Sequence, residues 1–274
     1  MAMIKTLPKS WPLLAGSVII AVIFAAAIWA PQLATHNPNQ QQLQHRLKAP
    51  GAEDHMLGTD GLGRDVWSRL IYGSRISLLV GLISVTVGAS LGTVIGLLAG
   101  YFGGIVDTLL SRLIDVIMAF PTILLALAII AALGPSLVNS IIAVGVASAP
   151  GFARVVRGVV LSVRERDYIQ AATALGSADL RTLLRHVLPN VNSPLIVLLS
   201  VGTGSAILVE ASLSFLGLGV APPTATWGSM ITDGKQYMDS APWISVFSGL
   251  AIALTVLGFN LLGDGLRDTL DTRL

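Results

Sequence analysis

Long apolar stretches organise this sequence. A helix needs roughly 20 mostly apolar residues to cross a bilayer. Six stretches of about that length predict membrane-spanning helices over residues 11–31, 76–100, 107–133, 137–160, 192–215 and 241–262. Pro121 lies inside the third stretch, where a proline kinks or breaks a helix. The pattern therefore predicts an all-α membrane protein with six transmembrane helices.

The first stretch has a second interpretation, as a cleaved secretory signal peptide. The small residues Ala25, Ala26 and Ala27 would then stand near the cleavage site. However, the apolar run from Leu13 to Ala30 is longer than the ~7–15 residues usual in such signals. Its length favours an uncleaved span.

The composition supports a membrane protein. Of 274 residues, 53% are hydrophobic and 12% are charged, against about 25% charged in a typical soluble domain. This balance argues against a soluble enzyme, a disordered regulator and a coiled coil. The net charge of +2 provides no basic surface for nucleic acid. Because cysteine is absent, the chain has neither a disulfide framework nor a thiolate metal site.

Basic residues predict that both termini face the cytoplasm, because cytoplasmic loops carry an excess of Lys and Arg. Lys5 and Lys9 precede the first span, and Arg267 and Arg273 follow the last one. The region around the exit of the fourth span and the loop after it is rich in arginine, at Arg154, Arg157, Arg164, Arg166, Arg181 and Arg185. The segment between the first two spans would then lie outside.

Small residues recur every four positions along the second span, at Ser84, Gly88, Gly92, Gly96 and Gly100. Such spacing allows another helix to approach closely and predicts a helix-packing face. Residues 88–92 also match the G-x-S-x-G pattern of serine hydrolases. That pattern needs a strand–turn–helix elbow and an available histidine. The predicted continuous helix and the lack of histidine in the spans therefore disfavour an intramembrane hydrolase.

No nucleotide-binding loop is predicted. Gly234 and Lys235 resemble the end of a P-loop, but Ser229 replaces the required glycine and Gln236 replaces the required Ser or Thr. The chain is therefore expected to have no ATP site of its own.

Histidine and aspartate residues gather in the loop between the first two spans, but their spacing matches no compact metal motif. They are His36, His45, His55, Asp60 and Asp65. We interpret them as solvated loop residues, with Asp65 capping a short helix from Val66 to Tyr72. No metal site is predicted.

Glu210 is the one acidic residue within the fifth span. An ionisable group at membrane depth usually faces a cavity or a partner. Near the interface, a side chain can instead extend to the headgroups. Glu210 therefore either lines the outer part of a transport pathway or snorkels to the surface.

A polar stretch between the fourth and fifth spans, residues 164–190, predicts two short helices. The first runs from Asp167 and ends at Gly176. The second covers residues 180–187, with Ser177 or Asp179 as its cap, and Pro189 is expected to stop it before the fifth span. A structured helix pair indicates a docking element, for which lipid and protein are both open as partners.

This stretch resembles the EAA motif of ABC-importer permeases. The motif runs E-A-A, three residues, Gly, nine residues, a variable residue, one residue and Leu-Pro. Its matching positions are Gln170, Ala171, Ala172, Gly176, His186, Leu188 and Pro189. The spacing agrees throughout, and Gln170 departs from the usual glutamate.

Three further segments resemble the C-type permease of dipeptide, oligopeptide and nickel importers. These segments are 55–69 (HMLGTDGLGRDVWSR), 213–228 (LSFLGLGVAPPTATWG) and 259–268 (FNLLGDGLRD). In the C-terminal tail, Asp271 precedes Thr272 where the family usually has Asp-Pro. The resemblance covers nearly the whole chain.

The resemblance implies a type I ABC-importer permease fold of the bacterial inner membrane. It divides the chain into an N-terminal segment, 1–75, and a five-helix core, 76–274, in which residues 164–190 form a cytoplasmic coupling loop. It implies a B-type permease, two cytoplasmic ATPase subunits and a periplasmic or lipid-anchored solute-binding protein as partners. ATP and Mg would be bound by those ATPases, with no cofactor in this chain.

The sequence leaves two classes of function open. The first is an ATP-driven importer subunit that uses alternating access, with dipeptides or oligopeptides as the expected solutes and nickel, glutathione or another small solute as alternatives. The second is a stand-alone secondary transporter. We see no convincing repeat between the halves of the sequence, whereas such transporters often contain inverted repeats. Dependence of uptake on ATP or on an ion gradient distinguishes the classes.

Overall fold

A computed structural model describes residues 11–270, and within that range the fold is helical without a β-strand. Five residues used in the sequence analysis lie outside the described residues: Lys5, Lys9, Asp271, Thr272 and Arg273. The α-helices are α1 (Trp11–Ile28), α2 (Ala30–Leu33), α3 (Val66–Phe102), α4 (Gly104–Met118), α5 (Thr122–Leu133), α6 (Leu137–Arg164), α7 (Asp167–Ala174), α8 (Asp179–Thr182), α9 (Leu188–Phe215), α10 (Trp227–Lys235) and α11 (Trp243–Leu270).

The described residues contain five helices that are long and apolar enough to cross a membrane, and a bent pair makes a sixth candidate. The pair is α4 and α5, whose axes differ by 89°. The sequence predicted that Pro121 kinks or breaks this span. The sharp bend is a break, which makes the segment a broken span or a re-entrant loop. Pro121 is the N-cap of α5, so its missing N–H falls where a helix has no internal partner.

Helix α3 begins ten residues before the predicted second span. Asp65 caps it by accepting a 2.8 Å hydrogen bond from the Ser68 backbone N–H. The predicted short helix from Val66 to Tyr72 is therefore not separate. No proline interrupts the chain after it, and the helix continues to Phe102. The predicted division between residues 75 and 76 falls inside this helix.

The small-residue face of α3 packs against α6. A Cβ atom on Gly92 would lie 2.5 Å from the Ala149 carbonyl oxygen, and one on Gly96 would lie 2.6 Å from the Ala153 carbonyl oxygen. Gly88 approaches Gly145 and Ser148 in the same way, and Gly100 approaches Val160. Because the backbones come this close, larger side chains have no room along the interface.

The prediction that Pro189 ends the second short helix is wrong. Residues from Asp179 to Phe215 form one 37-residue helix, which includes a π-helical turn at Leu183–Val187. In that turn the Leu188 N–H donates to the Leu183 carbonyl, one residue farther back than in an α-helix. The Asn190 side-chain amide donates to the His186 carbonyl over 2.6 Å. These bonds satisfy backbone groups close to the proline and allow the helix to continue.

Helix α11 completes the bundle by packing against α1 and α9, with α10 beside it. Gly16 and Gly258 bring the backbones of α1 and α11 together. At the start of α10, Thr226 and Ser229 form reciprocal side-chain to backbone hydrogen bonds, the capping box of a well-defined helix start. Lys235 is thus the last residue of a helix, and the Gly234-Lys235 pair is not part of a phosphate loop.

Candidate functional site

Two polar regions lie at opposite ends of α3. The loop 34–65 leads into its first residue, and the Tyr101 hydroxyl near its last residue donates to Asp179 of α8 over 3.0 Å. At 1.5 Å per residue, the 37 residues of α3 extend ~55 Å, which exceeds the ~30 Å hydrocarbon core of a bilayer. The loop 34–65 and the predicted coupling loop 164–190 therefore lie at opposite ends of a helix that is long enough to cross a bilayer.

Gly176 makes the turn between the two short helices of the coupling loop. Its φ of +82° lies in the left-handed region, where side chains other than glycine are strained. The Ser177 N–H donates to the Ala172 carbonyl over 3.0 Å, and the Leu175 N–H donates to the Ala171 carbonyl over 3.0 Å. A Cβ at residue 176 would meet open space. The backbone conformation, rather than crowding, therefore requires glycine.

The underside of the coupling loop is buried against the spans. Ile169, Leu183 and Val187 pack in one apolar cluster with Val160 of α6 and Leu97 of α3. Neither predicted cap serves α8, because its N-cap is Ala178 without a side-chain bond. The loop is thus fixed to the spans by apolar packing and by the bond to Asp179.

The opposite surface of the coupling loop exposes leucines. Leu175 is 89% exposed, Leu180 is 70% exposed and Leu184 is 54% exposed. We refer to these three residues as the leucine tip. Sequence reasoning missed them, although three leucines within an otherwise polar stretch were a usable signal. Exposed apolar side chains on a polar surface mark an interaction site.

The residues of the EAA-like motif take up different positions in the loop. Gln170, Ala171, Gly176 and Pro189 are exposed, whereas Ala172, His186 and Leu188 are half-buried. The Gln170 side chain donates to the Glu165 carbonyl over 3.3 Å. The His186 ring lies edge-on to Tyr168, with 6.5 Å between ring centroids.

At the other end of α3, an ion-pair network ties the loop 34–65 to α10. Arg64 Nε lies 2.6 Å from Asp60, and its Nη2 donates to Asp233 over 2.8 Å. Arg69 lies 3.5 Å from the same Asp60 oxygen and 3.6 Å from Asp233. Asp233 was not predicted, because its distance of 169 residues from Arg64 leaves no local pattern.

The interpretation of the loop histidines and aspartates as solvated residues is wrong for three of the five. His55, Asp60 and Asp65 are only 2–3% exposed. His55 Nδ1 lies 2.8 Å from Asp65 Oδ1, and the His36 ring stacks on His55 with 4.5 Å between centroids. At the loop surface, the hydrogen bond from Lys48 lowers the pKa of Glu53.

Glu210 is buried in α9, with 1% of its surface exposed. It accepts a 2.8 Å hydrogen bond from the Ser214 hydroxyl through Oε1, and its buried Oε2 has no hydrogen-bond partner among the described residues. This burial contradicts the snorkelling alternative. The pathway role of Glu210 stays a prediction.

Comparison with known proteins shows which family the chain belongs to. Residues 92–274 match the model of the binding-protein-dependent transport system inner membrane component, and residues 3–50 match the N-terminal transmembrane domain of oligopeptide transport permease C. The chain is a binding-protein-dependent ABC-importer permease. Its inclusion in this family confirms the resemblance found in the sequence and the prediction of a multi-pass inner-membrane protein.

Relatives of this permease align along nearly its whole length. It is 46% identical over 270 residues to the dipeptide transport system permease protein DppC of Alkalihalophilus pseudofirmus, covering 98% of this chain and 88% of that one. It is 44% identical over 260 residues to the glutathione transport system permease protein GsiD of Pectobacterium atrosepticum, covering 95% and 86%.

Solved structures show the same fold for this permease. An inward-facing form of the MetNI methionine ABC transporter aligns with a TM-score of 0.60 at 19% identity, over 74% of this chain and 96% of that one. An amino acid ABC transporter aligns with a TM-score of 0.53 at 18% identity, over 71% and 91%. The predicted type I importer fold is therefore confirmed.

Proposed function

We propose that this permease imports short peptides or peptide-like solutes, with dipeptides and oligopeptides as the first candidates and glutathione as an alternative. Support for the substrate class comes from the relatives, whose names specify dipeptide and glutathione transport. Nickel or another small solute remains an alternative within the same machinery.

The observation that carries the proposal is the structure of the coupling loop. One face of this helix pair is buried against the spans, and the other face exposes the leucine tip. Apolar side chains that project from a polar surface fit a complementary groove on another protein. The proposed partner there is one of the importer's two cytoplasmic ATPase subunits, which bind ATP and Mg. A B-type permease would complete the pathway, and a periplasmic or lipid-anchored binding protein would deliver the solute to the opposite side. The permease itself would be non-catalytic.

The continuous helix from α8 to α9 supports alternating access as the mechanism. Movement of the leucine tip with an ATPase would pass through α8 and the π-helical turn into the membrane-spanning part of α9. The buried cluster around Val187 would make the loop move with the spans rather than separately. Packed helix interfaces switch between discrete arrangements, which converts a small displacement at the loop into opening at one side or the other.

The proposed orientation puts the coupling loop and both termini in the cytoplasm and the loop 34–65 in the periplasm. The arginine-rich coupling loop supports this orientation through the positive-inside rule. It also puts the Arg64–Asp60–Asp233 network where a binding protein would approach.

Uptake by reconstituted proteoliposomes tests the proposed function. Vesicles containing this chain with its co-purified subunits and the binding protein are expected to accumulate a labelled dipeptide only when ATP reaches the ATPase side. Uptake that follows an imposed ion gradient without ATP would instead support a stand-alone secondary transporter. Competition by unlabelled glutathione and by Ni²⁺ ranks the alternative solutes.

A further inference from the structure

We propose that His36, His55 and Asp65 form a binding site for a divalent transition metal of the Zn²⁺ class. All three residues lie in the loop 34–65: His36 stands near its start after α2, His55 lies 19 residues farther on, and Asp65 is the N-cap of α3. One ligand atom from each lies within 4.8 Å of the others. The sequence spacing matches no compact metal motif, and the tertiary fold brings the three side chains together.

The distances suit a metal ion. Asp65 Oδ1 lies 2.8 Å from His55 Nδ1 and 3.8 Å from His36 Nδ1. Ligand atoms about 2.0–2.1 Å from a tetrahedral Zn²⁺ are about 3.3 Å apart, and these two separations fall on either side of that value. Small side-chain movements would thus bring the three atoms into a common coordination sphere.

Surrounding hydrogen bonds hold the three residues in place. Asp65 Oδ2 accepts from the Ser68 N–H over 2.8 Å and from the Thr35 hydroxyl over 3.3 Å, which leaves Oδ1 directed at the histidines. The His36 N–H donates to the Ser68 hydroxyl over 3.0 Å. Such outer contacts orient the ligands of metal sites and tune their affinity.

Nearby charges do not oppose a cation. Arg64 and Arg69 are the neighbouring cations, and each is paired with Asp60 and Asp233. The Asp65 carboxylate is therefore available to the ion. Ligation of His55 through Nδ1 would leave Nε2 as the ring nitrogen that carries the proton.

Two imidazoles and one carboxylate suit Zn²⁺ and leave a fourth position for water or a further ligand. His45 is not part of the set, because its Nδ1 lies 3.0 Å from Glu53 Oε2 and its ring stands edge-on to His55 at 6.0 Å. The bound ion would fasten the loop 34–65 to the N-terminus of α3. This is the end of α3 that lies opposite the coupling loop.

Zinc binding to the full chain, purified in detergent with the subunits that remain attached, tests the site. After equilibration with Zn²⁺ and removal of excess, metal content is measured by mass spectrometry for the wild type, His36→Gln and the control His45→Gln. His36 is chosen because its side chain is 29% exposed and can be replaced with little effect on folding. Expected is one Zn²⁺ fewer per chain in His36→Gln than in the other two.

A titration and a melting curve make the result decisive. His36→Gln is expected to weaken Zn²⁺ binding at least about 10-fold, since even outer contacts of metal ligands change affinity by that factor. Zn²⁺ is expected to raise the melting temperature of the wild type and of His45→Gln but not of His36→Gln. Equal zinc content in wild type and His36→Gln would overturn the proposal. So would loss of zinc in His45→Gln alone.

Discussion

At the scale of single residues, Gly176 has a backbone conformation that favours glycine. Its backbone is left-handed, a conformation that costs other L-residues about 1–2 kcal/mol. It lies between α7 and α8, beside the leucine tip, so a change of backbone there alters the surface offered to an ATPase. The energetic cost alone corresponds to about tenfold in an equilibrium.

We therefore predict that Gly176→Asp lowers ATP-driven uptake by about tenfold or more while the chain still inserts in the membrane. Gly51→Asp is the matched control, because Gly51 has the same φ of +82° and open space around its Cβ but lies in the loop 34–65. Uptake and expression are measured for both variants. Wild-type uptake by Gly176→Asp at normal expression would contradict the coupling role.

Glu210 carries the second prediction at this scale. Glu210→Gln keeps the size of the side chain and an acceptor for Ser214, but it removes the carboxylate from the span. If Glu210 serves the pathway, uptake by this variant is expected to fall and to change its dependence on pH. Uptake is measured from pH 5.5 to 8 at matched expression. A pH profile and rate identical to wild type would end the pathway hypothesis.

At the scale of elements, the close contact between α3 and α6 allows a direct test of helix packing. Gly96→Leu would drive a side chain into the Ala153 backbone, and overpacking typically costs about 1–3 kcal/mol. We predict a lower melting temperature in detergent. The control is Gly249→Leu on α11, where a Cβ meets open space. Equal melting temperatures for the two variants would show that the helices are not pressed together at Gly96.

The elements also show why boundaries were harder to predict than spans. Pro189 ordinarily ends a helix, yet a π-helical turn and the Asn190 amide carry the chain through it. The bend between α4 and α5 reaches 89° where a kink or a break was predicted. In both places, the outcome depends on backbone hydrogen bonds formed by neighbouring residues, which a hydropathy pattern does not contain.

At the scale of the whole molecule, a substitution in the leucine tip is expected to weaken the attachment of one kind of subunit, the ATPase. Leu180→Asp is expected to lower the amount of ATPase recovered in a pull-down from detergent-solubilised membranes while the second permease is retained, because only the coupling loop of this chain is altered. Leu43→Asp is the control, as Leu43 is 68% exposed but lies on the other side. Subunits are identified by mass spectrometry.

An unchanged amount of ATPase with Leu180→Asp, or an equal loss with Leu43→Asp, would contradict docking through the leucine tip. If the wild-type chain purifies alone, the importer assembly itself fails, and the proposed function falls with it.

The sequence by itself determined the six apolar stretches, the small-residue face of α3 and the spacing of the coupling motif. These features are local or periodic, since membrane insertion depends on the hydropathy of about 20 consecutive residues and helix packing on every fourth one. Only the tertiary structure decided that His36, His55 and Asp65 converge, that Asp233 pairs with Arg64 and that Glu210 is buried. Those contacts depend on how α3, α9 and α10 pack together, and no local pattern in the chain specifies that packing.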